Sequence, residues 1–515
     1  MTIKRFMIAG CGQDVPVVNE IMQLFGLENG GIFPEKLSPG DGGFAADTIV
    51  VRSHIILVPR LAILTELFYW RKEGILACRV RRAEAEYADE DEAAAAKRLL
   101  KLNVLALMEK ITGYRPSPWG ILRGVRPTKI VHRLLDAGLS ASEVLGRVTR
   151  AYAVAPDKAL LVTNIAVRQR PFLLAPEQAA KLVSVYIGIP YCPSRCLYCS
   201  FPAHVLPGDR RAVEAFLHAL TQDIEAAALL LGRYRCKVQT IYIGGGTPTS
   251  LADNDFSRLL GLVTAAFRSD ATREFTVEAG RPDSITDAKI ATMRAYGVTR
   301  VSVNPQSMQE KTLNHIGRKH SVRDIIDIFQ KFRRAEIPVI NMDIIAGLPG
   351  EDAGDMAATM EEIAALAPDN LTVHTLAIKR GSLLKANLVG QLLPDENETA
   401  RMLEVTRQYV AQMGLKPYYL YRQKYMTGNF ENVGYARPGT ECLYNIQIME
   451  ERQTIVGIGP AAGTKAVWPG SWRLASVYNA KDVTTYIANI NIYIEQRRQL
   501  LANLFADGRR NNELC

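Results

Sequence analysis

Residues 183–199 read V-S-V-Y-I-G-I-P-Y-C-P-S-R-C-L-Y-C, a β-rich run followed at once by three cysteines. The run at 183–189 is the first of a series that continues at 240–243, 275–277, 298–303, 339–345 and 370–376, with helical patterns such as 211–231, 256–267 and 322–335 between the runs. Strands alternating with helices specify parallel βα units. The reading is therefore an α/β fold, with a partial or full parallel βα barrel of the TIM type over residues 181–380. In such folds the chemistry collects at the C-terminal ends of the strands, so a functional motif is expected directly after a strand. The cysteines meet that requirement.

Cys192, Cys196 and Cys199 have the spacing C-x3-C-x2-C. Structural zinc sites usually join two cysteines to a second pair or to histidines farther along the chain. His204 is near enough to complete such a set, but there is no second C-x-x-C. A cubane iron–sulfur cluster normally takes one thiolate on each of four irons, and three thiolates on one short loop leave the fourth iron open. That iron can take the amino and carboxylate groups of S-adenosylmethionine and pass an electron into its sulfonium, yielding a 5'-deoxyadenosyl radical that no side chain supplies. Tyr198, the aromatic before the third cysteine, fits the same picture. G-G-G-T-P at 244–248 follows the second strand, where glycines let backbone come close to a ligand, and Glu278 ends the third, where a carboxylate suits a ribose or amino contact.

These residues resemble the radical SAM superfamily. The segments Y-I-G-I-P-Y-C-P-S-R-C-L-Y-C-S-F, I-Y-I-G-G-G-T-P-T, T-V-E-A, R-V-S-V-N-P-Q-S-M-Q with L-N-H-I-G-R-K-H, and M-D-I-I-A-G-L-P-G resemble, more narrowly, the oxygen-independent coproporphyrinogen III dehydrogenase group, HemN and its relatives. The N-terminal segment L-R-G-V-R-P-T-K-I-V-H-R-L-L-D is similar to the HemZ branch. The resemblance implies a radical SAM barrel with a 4Fe-4S cluster on Cys192, Cys196 and Cys199. It implies S-adenosylmethionine near Tyr186, Gly245 and Glu278, and a second adenosylmethionine-type site near Tyr198, Gly246, Thr247, Gln306, Arg318, Asp343 and Ala377. The implied activity is an oxidoreductase of heme (porphyrin) biosynthesis that converts coproporphyrinogen III to protoporphyrinogen IX. The radical takes a hydrogen from the β-carbon of a propionate, loss of one electron and carbon dioxide leaves a vinyl group, and two of four propionates react. The implied partners are a porphyrinogen-type substrate and an electron donor such as a flavodoxin or ferredoxin. Arg422, Lys424, Arg123 and Arg126 are the candidate propionate contacts.

The sequence departs from that pattern in two places. Phe201 stands where the HemN enzymes carry a further cysteine, and the heme-chaperone relatives, HemW, share the phenylalanine. Those relatives also carry H-N-x-x-Y-W after P-G-x-E-C. Here Pro438, Gly439, Glu441 and Cys442 are followed by Tyr444 at the histidine position, with Asn445 the sole match. A HemW-like heme-binding or heme-transfer protein, and a radical SAM enzyme (including a methyltransferase) acting on another substrate, are the alternatives.

The remaining sequence agrees with an enzyme of several parts. Apolar residues make up 48% of the 515 and charged residues 22%, values of a globular protein rather than a disordered, coiled-coil or collagen-like chain. Eight cysteines are too few for a disulfide scaffold. The start, with Lys4 and Arg5 before a short apolar run broken at Gln13 and Asp14, does not read as a secretory signal, and no apolar run is long enough to span a membrane. A reducing cytoplasmic setting is expected. The net charge of +9 suits a polyanionic small molecule, while no basic-aromatic platform for nucleic acid is evident. The expected domains are an N-terminal α+β domain (1–115), a helical, arginine-rich connection (116–180), the barrel (181–380) and a C-terminal α/β extension on the substrate side (381–515).

Overall fold

The computed structural model describes residues 5–9, 14–33, 46–56, 61–71, 74–83, 87, 90–379, 381–387, 390, 392–423 and 427–512. The chain falls into two compact units, Met1–Val167 with Gly428–Phe430, and Arg168–Thr427 with Glu431–Cys515.

The first unit comprises β1 (Arg5–Ala9), α1 (Val15–Met22), β2 (Glu28–Phe33), β3 (Thr48–Ile56), β4 (Ala62–Arg71), β5 (Gly74–Ala83), α2 (Glu92–Thr112), α3 (Thr128–Asp136), α4 (Ala141–Tyr152) and α5 (Pro156–Gln169). Its strands form one sheet in the order β2-β1-β3-β4-β5. The apolar residues at 48–51 and 54–56 belong to a single strand, β3, because Arg52 and Ser53 continue the ladder opposite Glu66 and Thr65. The glycine-rich segment 37–43 lies outside the described residues. Helix α2 starts where the Asp91 carboxylate accepts from the Ala94 amide at 2.7 Å and ends at Gly113, whose φ of +67° only glycine adopts without cost. In the arginine-rich segment, Arg123 donates to the Glu20 carbonyl and Arg133 to the Tyr152 hydroxyl, so both serve this unit's own packing.

The second unit runs α6 (Pro176–Ala179), β6 (Leu182–Ile189), β7 (Tyr191–Cys192), β8 (His204–Val205), α7 (Arg210–Arg233), β9 (Lys237–Gly245), α8 (Asp253–Phe267), β10 (Glu274–Glu278), α9 (Asp287–Ala295), β11 (Arg300–Gln306), α10 (Glu310–His315), α11 (Val322–Arg334), β12 (Val339–Ala346), α12 (Ala353–Leu366), β13 (Asn370–Thr375), α13 (Leu383–Ala386), α14 (Glu396–Gln412), β14 (Lys416–Tyr421), β15 (Asn432–Ala436), α15 (Leu443–Glu450), β16 (Thr454–Ile458), β17 (Gly463–Trp468), β18 (Arg473–Tyr478), α16 (Val483–Ala488) and α17 (Ile490–Asn512). The six strands expected from the sequence are β6 and β9 to β13, and they pair in chain order, all parallel. Val183, Val185, Ile187 and Ile189 on β6, and Ile241 and Ile243 on β9, are buried, as strands covered by helices require.

The parallel run gains β16 beside β6, and antiparallel strands extend both edges, giving the order β14-β15-β13-β12-β11-β10-β9-β6-β16-β17-β18. Among the described residues no ladder joins the two ends, so the barrel is a partial one. Asp223 on α7, fully buried, fixes the β16 side: it accepts from the Gly459 amide at 2.9 Å, from the Tyr486 hydroxyl at 2.6 Å and from Arg497 on α17. No described helix is long and apolar enough to cross a membrane.

Candidate active site

A cavity of about 350 Å³ opens at the C-terminal ends of the parallel strands. Its walls follow from strand alternation, since every second residue of a strand points to one face. Ser302, Asn304 and Gln306 come from β11, Asn341, Asp343 and Ile345 from β12, and Thr372 and His374 from β13. Tyr186, Tyr242 and Glu278 come from β6, β9 and β10, and Tyr419 and Tyr421 from β14.

The cysteine loop forms one wall. It leaves β6 at Pro190, and Cys192 pairs with Val205 in the short β7–β8 ladder. The loop is pinned by backbone bonds from Leu197 N to Ile316 O (2.9 Å) and from Leu384 N to Leu197 O (2.8 Å). The glycine segment packs against it. Gly246 N and Thr247 N donate to Ile189 O and Tyr191 O at 2.7 and 2.6 Å, and the Thr247 hydroxyl donates to Cys192 Sγ at 3.4 Å. A Cβ on Gly246 would stand 2.5 Å from Tyr191 O, and Gly245 has φ +105°, so the glycines are needed for contact with the chain's own backbone.

Cys196 is buried, and Cys192 and Cys199 are half-buried. Burial pushes the Cys192 thiol up to about 11, against the lowering effect of Thr247, and raises Cys199 as well. Among the described residues no three His, Cys, Asp or Glu side chains converge on a single-ion site, and His204 is exposed on β8. Three thiolates from one short loop suit a cubane, whose thiolates bind separate irons. The donor set therefore fits a 4Fe-4S cluster held by Cys192, Cys196 and Cys199, with proton release on assembly.

The opposite walls are polar. Glu278 accepts from the Tyr242 hydroxyl at 2.8 Å and the Gly245 amide at 3.3 Å, yet burial, followed by the neighbouring Asp343 charge, pushes its carboxyl up to about 7. Asp343 accepts from Asn341 at 2.8 Å and faces His374 at 3.7 Å. Gln306 is buried with φ +69°, and its Oε1 has no hydrogen-bond partner among the described residues. Arg318, buried, donates to Gly280 O (3.1 Å), Asn304 O (2.5 Å) and the Tyr198 hydroxyl (2.9 Å), leaving Nε unpartnered. Such orphaned polar atoms are what a ligand with amino, hydroxyl and carboxylate groups would satisfy.

Every residue expected at the cluster and the two adenosylmethionine-type sites lines this cavity: Cys192, Cys196 and Cys199 with Tyr186, Tyr198, Gly245, Gly246, Thr247, Glu278, Gln306, Arg318, Asp343 and Ala377. Of the expected propionate contacts, none among the described residues of this unit lines it. Arg422 is buried and does not line the cavity, Lys424 lies outside the described residues, and Arg123 and Arg126 belong to the first unit. The cavity holds Lys379, half-buried, and Arg281, neither of which belongs to a motif legible in the sequence. Tyr242, Asn341 and His374 were also missed, although alternation along their strands points to them. Tyr444 is buried beside a stack with Tyr242 at 4.5 Å and Tyr186 at 6.0 Å between ring centroids.

The profile of the Radical SAM superfamily matches residues 186–363. The chain is 39% identical over 402 residues to the oxygen-independent coproporphyrinogen-III oxidase-like protein HemZ of Bacillus subtilis, covering 78% of this chain and 80% of HemZ. It is 28% identical over 293 residues to the heme chaperone HemW of the same organism, covering 55% of this chain and 72% of HemW. Among solved structures, coproporphyrinogen III oxidase (HemN) from Escherichia coli shares the fold with a TM-score of 0.50 at 24% identity, over 63% of this chain and 72% of HemN. The chain belongs to the radical SAM superfamily, whose cofactors are a 4Fe-4S cluster and S-adenosylmethionine, and within it to the HemN-like group on the HemZ branch.

Proposed function

We propose that this protein converts coproporphyrinogen III to protoporphyrinogen IX by oxygen-independent oxidative decarboxylation in the reducing cytoplasm. The observation that carries the reading is the meeting, in one cavity, of the three-cysteine wall with Lys379, a half-buried cation whose ammonium makes no hydrogen bond among the described residues and feels the charge of Cys199. When bound, the cluster and S-adenosylmethionine supply the radical able to take a hydrogen atom from a propionate β-carbon. The protein's part is placement. Lys379 receives a substrate carboxylate beside the cysteines, and the Tyr419 and Tyr421 rings offer apolar surface to the pyrrole framework. Glu278, held by Tyr242 and Gly245, receives an amino or ribose group of S-adenosylmethionine, and Gln306 Oε1 accepts from a second donor group. Each propionate loses one hydrogen atom, one electron and one carbon dioxide, the electron passing to an external one-electron acceptor. A flavodoxin- or ferredoxin-type protein supplies the reducing electron.

Heme transfer is named for other relatives. Tyr444, at the position of the histidine in their heme motif, is buried against Tyr186 and Tyr242, which supports decarboxylation over heme ligation by that side chain. The test is anaerobic incubation of the reconstituted protein with S-adenosylmethionine, a reductant, an electron acceptor and coproporphyrinogen III. A divinyl product with two carbon dioxides released is expected. Cleavage of S-adenosylmethionine without decarboxylation, together with stoichiometric heme binding, overturns the proposal.

A further inference from the structure

Arg281 lies on the loop after β10, three residues beyond Glu278, and is 3% exposed. A guanidinium carries five N–H donors in a fixed fork, and here each meets an acceptor. Nε and Nη2 bind the two Asp283 oxygens at 3.0 and 2.9 Å. Nη2 also donates to Ser194 Oγ at 2.8 Å, and Nη1 donates to Ser194 O at 3.2 Å and to Cys196 Sγ at 3.6 Å. Ser194 sits between the first two cysteines of the loop, so the fork holds both the backbone of that loop and one of its sulfurs. Nothing in an ordinary surface ion pair requires this arrangement, because Asp283 alone would satisfy the charge.

We propose that Arg281 is a positioning residue for the cluster: it locks the cysteine loop and gives the Cys196 sulfur a hydrogen-bond donor that sets the potential at which the cluster takes its electron. Donors to cluster sulfurs favour the electron-rich, reduced state, so this contact raises the potential. Asp283 offsets the guanidinium charge, which makes the oriented N–H the main influence on the sulfur. Lysine supplies a charge without the planar fork and cannot reproduce the set. The proposal rests on the cluster and is independent of which substrate the cavity takes.

The experiment uses the full-length protein, reconstituted anaerobically, as wild type, Arg281→Gln, Arg281→Lys and Asp283→Asn. Iron and sulfide content, the electron paramagnetic resonance signal of the reduced cluster and a potentiometric titration are read, with no turnover needed. Arg281→Gln is expected to hold its iron but show an altered resonance signal and a more negative midpoint. At the wild-type midpoint its reduced-to-oxidised ratio falls about tenfold, the equilibrium equivalent of one charge-assisted hydrogen bond. Arg281→Lys falls between the two, and Asp283→Asn shifts the midpoint the other way, since the counter-charge is gone. An iron-loaded Arg281→Gln with unchanged midpoint and signal overturns the proposal. If that variant does not fold or load iron, an unchanged midpoint in Asp283→Asn overturns it instead.

Discussion

Replacing Glu278 by glutamine isolates a pH-dependent cost built into the cavity. The ordinary carboxyl value of 4.5 is raised to about 7 by burial. Between those values the unfolded chain has released its proton while the folded chain still holds one. The folded state therefore binds more protons, and stability falls as pH rises from about 4.5 to about 7, then stays level. A raise of that size corresponds to at most about 3 kcal/mol; the open side of the cavity screens part of it. For a second unit of roughly 350 residues, 3 kcal/mol corresponds to about 4 °C in melting temperature. Glutamine keeps the size of the side chain and an oxygen to accept from Tyr242, but it cannot ionise. The assay is thermal melting of cluster-free wild type and Glu278→Gln at pH 4.5 and pH 8. Glutamine is expected to cost up to about 1 kcal/mol at pH 4.5, from the lost Gly245 contact, and to melt higher than wild type at pH 8. A melting difference between the two proteins that is the same at both pH values refutes the reasoning.

The same carboxyl gives a binding prediction: S-adenosylmethionine affinity weakens as pH falls below about 7, with proton release on binding seen by calorimetry in buffers of different ionisation enthalpy, and Glu278→Gln removes both effects. Gly246→Ala is expected to push the cysteine loop away, because the added Cβ meets Tyr191 O at 2.5 Å and backbone cannot step aside. Iron content after reconstitution falls sharply, and stability drops by about 1–3 kcal/mol. Lys379→Met is expected to raise the KM for the porphyrinogen about tenfold, one charge-assisted contact, while leaving the extent of S-adenosylmethionine cleavage in substrate-free protein unchanged. Asp223→Ala strands the Arg497 guanidinium, 2% exposed, without its counter-charge and should cost about 3–5 kcal/mol in thermal denaturation.

What could be read from the sequence was what local pattern encodes. The runs at 183–189 and 339–345 are rich in Val and Ile, with Val183, Val185, Ile187, Ile340, Met342 and Ile344 buried, and they match β6 and β12 within a residue or so. The cysteine spacing names its chemistry because three thiolates on one loop have few other uses. Strands of the first unit were harder. β4 (Ala62–Arg71) interleaves Glu66 and Thr65 with aromatics, and β3 carries Arg52 and Ser53 mid-strand, so a search for apolar runs splits or overlooks them. Arg281 was illegible for another reason: its role depends on Ser194 and Cys196, 87 and 85 positions away, brought to it by the β6–β9–β10 order and by nothing in its own neighbourhood.

The charge of the cavity changes the meaning of the charge of the chain. The +9 net charge suggested a protein broadly attractive to a tetracarboxylate. Yet among the charged residues that line the cavity, Arg281 is paired with Asp283, Arg318 is held by backbone carbonyls and Tyr198, and Asp343 faces His374. Lys379 is the one lining cation whose charged group makes no hydrogen bond among the described residues. Under the proposed function, the described lining offers one cation beside the cysteines to one carboxylate arm at a time. Under the proposed function, two propionates would react by successive presentation to the same lysine. Lys379→Met should accordingly slow the first and second decarboxylations by the same factor, with no build-up of a monovinyl product beyond that of the wild type. Accumulation of that product would mean that the second arm is held by different residues, and the single-lysine account would fail.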